Sequence, residues 1–242
     1  MDPRHLEELI QLERGYWWHV SKRAAVRQVI AEHAPPPGLV VEGGVGGGLM
    51  LRELADAGYR VAGFDVMPAA VAHCHEMGLP DVAVHDLEKP WPVEERSARA
   101  VLLLDVLEHL DHPSDVLRGM GRALAPGGVA ILTVPAYPAL LGPWDRMLGH
   151  KRRYTRDMMR QQAREAGMRV RWMTHWNAFS VPPALVLRTV EKLRGGSRGA
   201  EFPRVPAVVN TALRAAARAE RLAMRVRPVP VGLSLLAVLE VA

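Results

Sequence analysis

The sequence predicts an α/β fold built on an open, doubly wound and mostly parallel sheet of seven strands. Three observations lead to this prediction. Short apolar runs alternate with amphipathic helical segments, a glycine-rich turn follows the first apolar run, and acidic residues follow the first four runs. Strands that alternate with helices form repeated βαβ units, whose strands are parallel. The carboxyl ends of such strands meet at one edge of the sheet, where open α/β folds bind ligands.

The predicted strands are bounded by glycine and proline. An uncharged run such as residues 100–104 is typical of a central strand that is covered on both faces. The predicted strands are residues 39–41, 60–65, 82–85, 100–104, 129–134, 168–174 and 233–241. Residues 49–57, 68–77, 113–124 and 155–166 show helical periodicity between them. This order of elements predicts a Rossmann-like sheet.

Two further helical regions flank the predicted core, residues 35–175. Amphipathic segments at 5–14 and 21–33 predict an N-terminal helical lid over residues 1–34. Residues 176–230 are too long for a simple connection and predict a helical insertion or cap before the last strand, residues 231–242. Within the insertion, helical blocks at 183–193 and 207–225 are separated by the Gly- and Arg-rich residues 195–204. We interpret the whole chain, 1–242, as one domain.

Composition narrows the possible functions only partly. Apolar residues make up 49% of the chain and charged residues 24%, which is typical of a globular protein and excludes a disordered one. Cys74 is the only cysteine, so it is expected to be a small buried hydrophobe and not part of a disulfide. Neither a signal peptide nor a membrane-spanning run is visible, which predicts a cytoplasmic protein. The net charge of +5 is concentrated in residues 188–227 and permits acidic partners.

The glycine-rich turn at residues 42–48 predicts a nucleotide site. A dinucleotide fingerprint requires Gly-x-Gly-x-x-Gly, but its third glycine would fall on Leu49 or Leu51. The turn instead places Gly44, Gly46 and Gly48 after an acid, Glu42. S-adenosylmethionine (SAM) has no pyrophosphate, but it has a ribose and a cationic amino group that an acid at this position can meet. SAM therefore fits this turn better than NAD does.

Further acids follow the next three strands and supply partners for the rest of SAM. Asp65, which is followed by Val66, can accept hydrogen bonds from the two ribose hydroxyls, each worth about 1.5–3 kcal/mol. Asp86 can accept the adenine amino group beside the apolar Leu87, and Asp105 ends the fourth strand. Each acid alone could be a solvated strand end or a helix cap. Four in succession indicate a binding site.

Residues 40–135 resemble the class I SAM-dependent methyltransferases, and are similar to the group of ubiquinone-pathway O-methyltransferases. The resemblance is carried by residues 40–48, 63–65, 105–110 and 124–128. Glu42 stands where the family usually has Asp, and Val45 where Cys or Ala is common. The resemblance implies SAM as cofactor, S-adenosylhomocysteine as product, and methyl transfer to a small-molecule or glycolipid-like acceptor.

Two more segments resemble signatures of a bacterial subgroup of these enzymes. Residues 13–19 with Lys22 and Arg23 are similar to its Trp-Trp…Arg-Arg signature, and residues 144–155 to its Trp-x-x-Asp…Gly-His-x-Arg-Arg-Tyr signature. In the first segment, Trp18 and Arg23 are predicted to contact the cofactor; the alternative is a lid whose tryptophans only bury area.

The second segment supplies the predicted acceptor contacts Trp144, Arg153 and Tyr154. Arg152 and Arg153 either bind an anionic acceptor or form ion pairs with Asp145 or Asp157.

Histidines are the candidate proton acceptors, because an oxygen acceptor must lose its proton and imidazole suits that task near neutral pH. His150 and His109 are the candidates, and for both the alternative is a hydrogen-bonded structural histidine. The run from His73 to His75 is not interpreted as a metal site, since helical residues two apart point to different sides. No metal is expected.

Two other functions remain open from the sequence. The basic insertion permits a nucleic-acid methyltransferase, but no RNA-binding module is recognised and its basic residues are not interleaved with stacking aromatics. A non-catalytic SAM-fold partner protein would be expected to lack the cofactor acids, which are present. The insertion itself is a candidate substrate cap, homodimer surface or interfacial membrane helix, although an ordinary packed helix has the same pattern.

Overall fold

The computed structural model describes residues 3–184 and 205–242. Its single sheet has the strand order β3-β2-β1-β4-β5-β7-β6. The strands are β1 Leu39–Gly43, β2 Arg60–Asp65, β3 Val82–Val84, β4 Ala98–Leu104, β5 Leu124–Pro135, β6 Met168–Trp176 and β7 Ser234–Val241. Only β7 is antiparallel to its neighbours, so the other six strands run in one direction. The predicted seven-stranded, mostly parallel sheet is confirmed.

The helices cover the two faces of this sheet. They are α1 Pro3–Glu13, α2 Trp17–His33, α3 Leu49–Asp56, α4 Pro68–Glu76, α5 Pro113–Ala123, α6 Pro143–Met147, α7 Arg156–Glu165 and α8 Ala207–Met224. Proline at the first turn starts α4 and α5, where a missing N–H costs nothing. Thr155 caps α7, because its hydroxyl accepts a hydrogen bond from the backbone N–H of Met158 at 3.1 Å.

Several boundaries differ from the prediction by one or more residues, and three of the differences follow from side-chain packing or strand pairing. α2 begins at Trp17 and not at residue 21, because the aromatic side chains predicted as a link pack inward from the first helical turn. β5 begins at Leu124, which pairs with Ala98 before a register shift. β6 continues to Trp176, since β7 pairs with it as far as Ser234.

The sheet is buried between two apolar layers. On one face, α5 and α7 pack on the odd-numbered positions of β4, Val101 and Leu103. On the other face, α2 packs on the alternate positions, Ala100 and Leu102. All four of these β4 side chains have no exposed surface. Because strand side chains alternate between faces, this double burial explains why the segment is uniformly apolar.

The predicted insertion is described only in part. Its block at residues 183–193 and the segment at 195–204 lie outside the described residues, apart from positions 183 and 184. The block at 207–225 forms α8, which buries Ala217 and Met224 and packs on α2. The carboxylate of Glu220 accepts hydrogen bonds from the backbone N–H groups of Asn177 and Ala178 at 2.9 and 2.7 Å. These two hydrogen bonds hold α8 against the residues that follow β6.

Among the helices of the described residues, none combines the length and the apolar character that crossing a membrane would require.

Candidate active site

The glycine-rich turn joins β1 to α3 in a conformation that requires glycine. Gly44, Gly46 and Gly48 have φ angles of 72°, 54° and 75°, a region that side chains disfavour. A Cβ atom on Gly48 would also lie 2.6 Å from the sulfur of Cys74. Cys74 is fully buried beneath the turn, which confirms its prediction as a small buried residue. The backbone conformation of this turn is thus fixed by its glycines.

Asp65 fastens the turn to the end of β2. One carboxylate oxygen accepts a hydrogen bond from the N–H of Gly46 at 3.1 Å, and the other from the N–H of Met67 at 2.9 Å. Each oxygen keeps a second lone pair, so the carboxylate retains acceptor capacity for a ligand. Val66 follows with 65% of its surface exposed, at the same edge of the sheet.

Helix α1 covers the turn. The carboxylate of Glu13 accepts hydrogen bonds from the backbone N–H groups of Gly47 and Leu49. A Cβ atom on Gly46 would lie 3.0 Å from Leu9. Burial raises the pKa of Glu13, and the nearby Lys22 and Arg23 lower it in part. The sequence predicted Glu13 only as part of a signature, whereas in the structure its carboxylate contacts the turn.

Lys22, and not Arg23, is the cation among the predicted cofactor acids. The Lys22 ammonium lies 2.8 Å from Asp105, whereas the Arg23 guanidinium lies 2.8 Å from Glu53 on α3. Asp105 also accepts a hydrogen bond from Thr133 at 3.0 Å. Burial alone would raise the pKa of Asp105, but Lys22 and the hydrogen bonds bring it below its ordinary value. Asp105 is therefore held as a carboxylate at the end of β4.

Glu42 is the least compensated of the cofactor acids. Its side chain is buried, and one oxygen has no hydrogen-bond partner in the described parts of the chain. Burial raises its pKa well above the ordinary value, and the charge of Glu13 adds to this shift. A buried acceptor that lacks a donor is costly, and the cationic amino group of SAM is a donor of the right charge. This observation fits SAM to the turn.

The third strand contributes the remaining predicted cofactor contacts. Asp86 is exposed and accepts a hydrogen bond from the N–H of Glu88 at 3.0 Å. Leu87 is buried, and its methyl groups lie against Gly43 at the base of the turn. Both residues follow β3 at the same edge as the turn.

Glu42→Gln is expected to stabilise the ligand-free protein at pH 8. A carboxyl whose pKa is raised by folding lowers the free energy of unfolding as the pH rises from the unfolded to the folded pKa. The gain in the free energy of unfolding over wild type should therefore be largest at pH 8 and disappear near pH 4. A gain of about 1 kcal/mol would raise the Tm by about 2–4 °C. Thermal unfolding at both pH values measures this, with Glu76→Gln, whose side chain is 79% exposed, as the control. A Tm of Glu42→Gln below that of wild type at pH 8 would contradict a raised pKa of Glu42.

Asp145 organises the loop that follows β5. It is fully buried and accepts hydrogen bonds from the N–H of Gly142 at 2.8 Å, from Nδ1 of His150 at 3.1 Å and from Arg153 at 2.7 Å. Burial opposes its charge, but the hydrogen bonds from His150 and Arg153 bring the pKa of Asp145 below its ordinary range. Arg153 also donates to the carbonyl of Ala136 at 3.1 Å. Of the two alternatives for Arg153, the structure shows the ion pair with Asp145.

Tyr154, a predicted acceptor contact, lies in the core. Its side chain has no exposed surface, and its hydroxyl donates to the carbonyl of Leu107 at 3.3 Å. Its backbone bridges to Ala136 at the end of β5, which directs the ring into the core. Trp144 lies half-buried on α6. The ring of Trp18 lies 5.0 Å from that of Trp176 at the end of β6, as in the alternative of a packed lid.

The two candidate histidines meet beside a buried acid. The rings of His109 and His150 are perpendicular, with centroids 4.8 Å apart. Nδ1 of His109 lies 3.2 Å from the carbonyl of Gly149, and Nε2 of His150 lies 3.9 Å from a carboxylate oxygen of Glu108. Burial, with a smaller contribution from His150, lowers the pKa of His109 to about 4. Glu108 and His109 follow β4 directly and so share an edge of the sheet with Asp105, whereas His150 comes from the loop after β5. We call these three residues the Glu-His-His cluster.

Comparison with known proteins agrees with this geometry. A sequence model described as a methyltransferase domain matches residues 16–172. Ubiquinone biosynthesis O-methyltransferases of Nitrosococcus oceani and Paracidovorax citrulli are each 28% identical to the chain, over 141 and 142 residues. Each match covers 53% of this chain and 60% of the relative, so the chain spans less than two thirds of these relatives.

Solved structures show the same fold. An S-adenosylmethionine-dependent methyltransferase from Mesorhizobium loti superposes with a TM-score of 0.61 at 16% identity, covering 90% of this chain and 97% of that one. A chain from the complex between the Haloferax volcanii Trm112 methyltransferase activator and a methyltransferase has a TM-score of 0.61 at 20% identity, covering 96% and 91%. The sequence model spans more than half of the chain. The chain therefore belongs to the methyltransferase domain family and has the fold of the class I SAM-dependent methyltransferases.

Proposed function

We propose that the chain methylates a hydroxyl oxygen of a small-molecule or glycolipid-like acceptor. One observation carries the proposal: the Glu-His-His cluster lies beside the cofactor acids. His109 follows Asp105 by four residues, and His150 is close enough to Asp105 to help lower the pKa of that carboxyl. A group that takes up a proton is thus placed next to the group that gives up a methyl. The ubiquinone biosynthesis O-methyltransferases among the relatives support a hydroxyl acceptor.

The chain's own residues hold SAM in this proposal. Asp65 accepts the ribose hydroxyls through its remaining lone pairs, Asp86 meets the adenine amino group, and Glu42 pairs with the cationic amino group. Bound SAM supplies an electrophilic methyl group on its sulfonium. Positioning donor and acceptor in line contributes up to about 7–11 kcal/mol in favourable cases. The lid residues Glu13 and Leu9 keep water from the turn.

In this proposal, His150 takes up the proton of the acceptor hydroxyl. Its Nδ1 donates to the buried carboxylate of Asp145, which leaves the lone pair on Nε2. A carboxylate behind an imidazole stabilises the protonated ring that forms when Nε2 accepts a proton. Nδ1 of His109 faces only a backbone carbonyl, so His109 lacks this support. Geometry thus favours His150 over His109 as the base.

Two measurements test the function. SAM and S-adenosylhomocysteine, but not NAD, should raise the Tm and bind in calorimetry. Labelled SAM should then transfer its methyl to members of a panel of phenols and catechols, and not to their methyl ethers. His150→Gln should slow this transfer by about 100-fold and leave the Kd for SAM unchanged. Methylation of amines or RNA with an inert hydroxyl panel would overturn the proposal, as would the absence of SAM binding.

A further inference from the structure

Among the residues that the structure describes, no side chain or backbone group hydrogen-bonds to the buried carboxylate oxygens of Glu108. Glu108 lies in the short helical turn Leu107–His109 after β4, with no exposed surface. Burying a carboxylate in this way is costly unless a cation compensates it. Nε2 of His150 lies 3.9 Å from a carboxylate oxygen of Glu108, which is too far for a hydrogen bond.

Both histidines are left with a lone pair on Nε2 by the neighbours of their Nδ1 atoms. Nδ1 of His109 faces the carbonyl of Gly149, and Nδ1 of His150 faces the carboxylate of Asp145. These neighbours accept hydrogen bonds, so each ring carries its proton on Nδ1 and leaves Nε2 free to act as a ligand. A carboxylate or carbonyl behind an imidazole is the usual support of a metal-binding histidine. One ligand atom from each of Glu108, His109 and His150 lies within 4.8 Å of the others.

We propose that the Glu-His-His cluster binds one divalent transition-metal cation, with Zn²⁺ as the best match. Two imidazoles and one carboxylate form a donor set that suits Zn²⁺, whereas Mg²⁺ prefers oxygen ligands. Zn²⁺ holds these atoms at about 2.0–2.2 Å, so the three side chains must close by roughly 1 Å through small rotations. Three protein ligands leave a fourth position open for a water molecule or an acceptor oxygen.

This inference rests on the proposed function and changes its proton-transfer step. An acceptor hydroxyl that coordinates the cation becomes more acidic, as zinc-bound water does. The O–H bond then breaks with its electron pair left on oxygen, and the proton passes to solvent. The imidazoles that accept a proton in the metal-free protein are ligands in the loaded protein. The cation therefore activates the acceptor and has no part in holding SAM.

The test measures cation binding separately from turnover. Chelator-treated protein is titrated with Zn²⁺ by calorimetry, with Mg²⁺ as the comparison cation. Co²⁺ is then added as a spectroscopic probe, because its visible bands report four-coordination by nitrogen and oxygen. We expect one Zn²⁺ per chain, weaker Mg²⁺ binding, and at least about tenfold weaker Zn²⁺ binding in Glu108→Gln and His150→Ala. His73→Ala, on α4 away from the cluster, is the control and should bind as wild type does.

Each result decides one of the two proposals. No Zn²⁺ binding by wild type, or equal binding by Glu108→Gln and His150→Ala, would overturn the metal site. If the metal-free protein methylates hydroxyls and Zn²⁺ neither binds nor accelerates transfer, the proposed function stands without the site. If Zn²⁺ binds at the cluster but no hydroxyl is methylated, the site stands and the proposed function fails. Far-UV circular dichroism of Glu108→Gln confirms that the variant is folded; His150→Ala, on a loop, gives an independent readout.

Discussion

Asp65→Ala is expected to weaken the binding of SAM by roughly 10²–10⁴-fold. The side chain offers its remaining lone pairs to two ribose hydroxyls, and each charge-assisted hydrogen bond contributes about 1.5–3 kcal/mol. The substitution also removes the acceptors for the N–H groups of Gly46 and Met67, which loosens the turn itself. Both the lost ribose hydrogen bonds and the loosened turn weaken the binding of SAM.

Calorimetry with two ligands separates the ribose contact from other causes. SAM and S-adenosylhomocysteine share the ribose but differ at the sulfur, so Asp65→Ala should weaken both by the same factor. Asp65→Asn should lie between Asp65→Ala and wild type, because its amide keeps one acceptor oxygen. Asp81→Ala is the matched control, since this exposed carboxylate precedes β3 at the opposite edge of the sheet. A Kd of Asp65→Ala within about threefold of wild type would exclude Asp65 as a ribose ligand.

The fold was predictable because each element follows one periodicity. The apolar run of β4 and the helical spacing of α5 and α7 follow directly from burial on one or both faces. The start of α2 was not predictable, since a run of aromatic residues suits a link as well as a helix. Only the packing of Trp17 on Phe179 and of Trp18 on Trp176, residues far away in sequence, decides between the two.

The site was predictable where a single strand end determines it. Asp65 and Asp105 follow their strands directly, so topology alone brings them to one edge. The sequence predicted Arg23 as the contact, whereas Lys22 is the residue that meets Asp105. Neighbouring helical residues point about 100° apart, and only the orientation of α2 selects one of them. The burial of Tyr154 could not be predicted, because an Arg-Arg-Tyr run contains no sign of its bridge to Ala136.

The Glu-His-His cluster shows a further limit of sequence reasoning. His109 and Gly149 are separated by 40 residues, and no local spacing joins Glu108 to His150. By contrast, His73 and His75 are only two positions apart in sequence, yet the helix directs their side chains to different sides. The carbonyl of Gly149, which accepts the Nδ1 proton of His109, comes from the loop after β5, as do Asp145 and His150. A ligand set of this kind becomes visible only when the loops are placed in space.

Arg153→Met is expected to lower the free energy of unfolding by about 3–5 kcal/mol at neutral pH. The substitution leaves the fully buried Asp145 carboxylate without its guanidinium partner, and an uncompensated buried charge is costly. The carbonyl of Ala136 also loses its side-chain donor. Urea unfolding measures the loss, with the exposed Arg160→Met on α7 as a control that should change stability little.

The pH dependence and a double variant identify the cause of that loss. The pKa of Asp145 is lowered on folding, so its stabilising contribution is present above about pH 4 and is lost as the pH falls towards the folded pKa. The difference between wild type and Arg153→Met should therefore shrink below about pH 4. Asp145→Asn combined with Arg153→Met should recover part of the stability, because it removes the unpaired charge. If Arg153→Met instead unfolds like wild type and raises the KM for the acceptor, the guanidinium binds substrate and the ion pair is incidental.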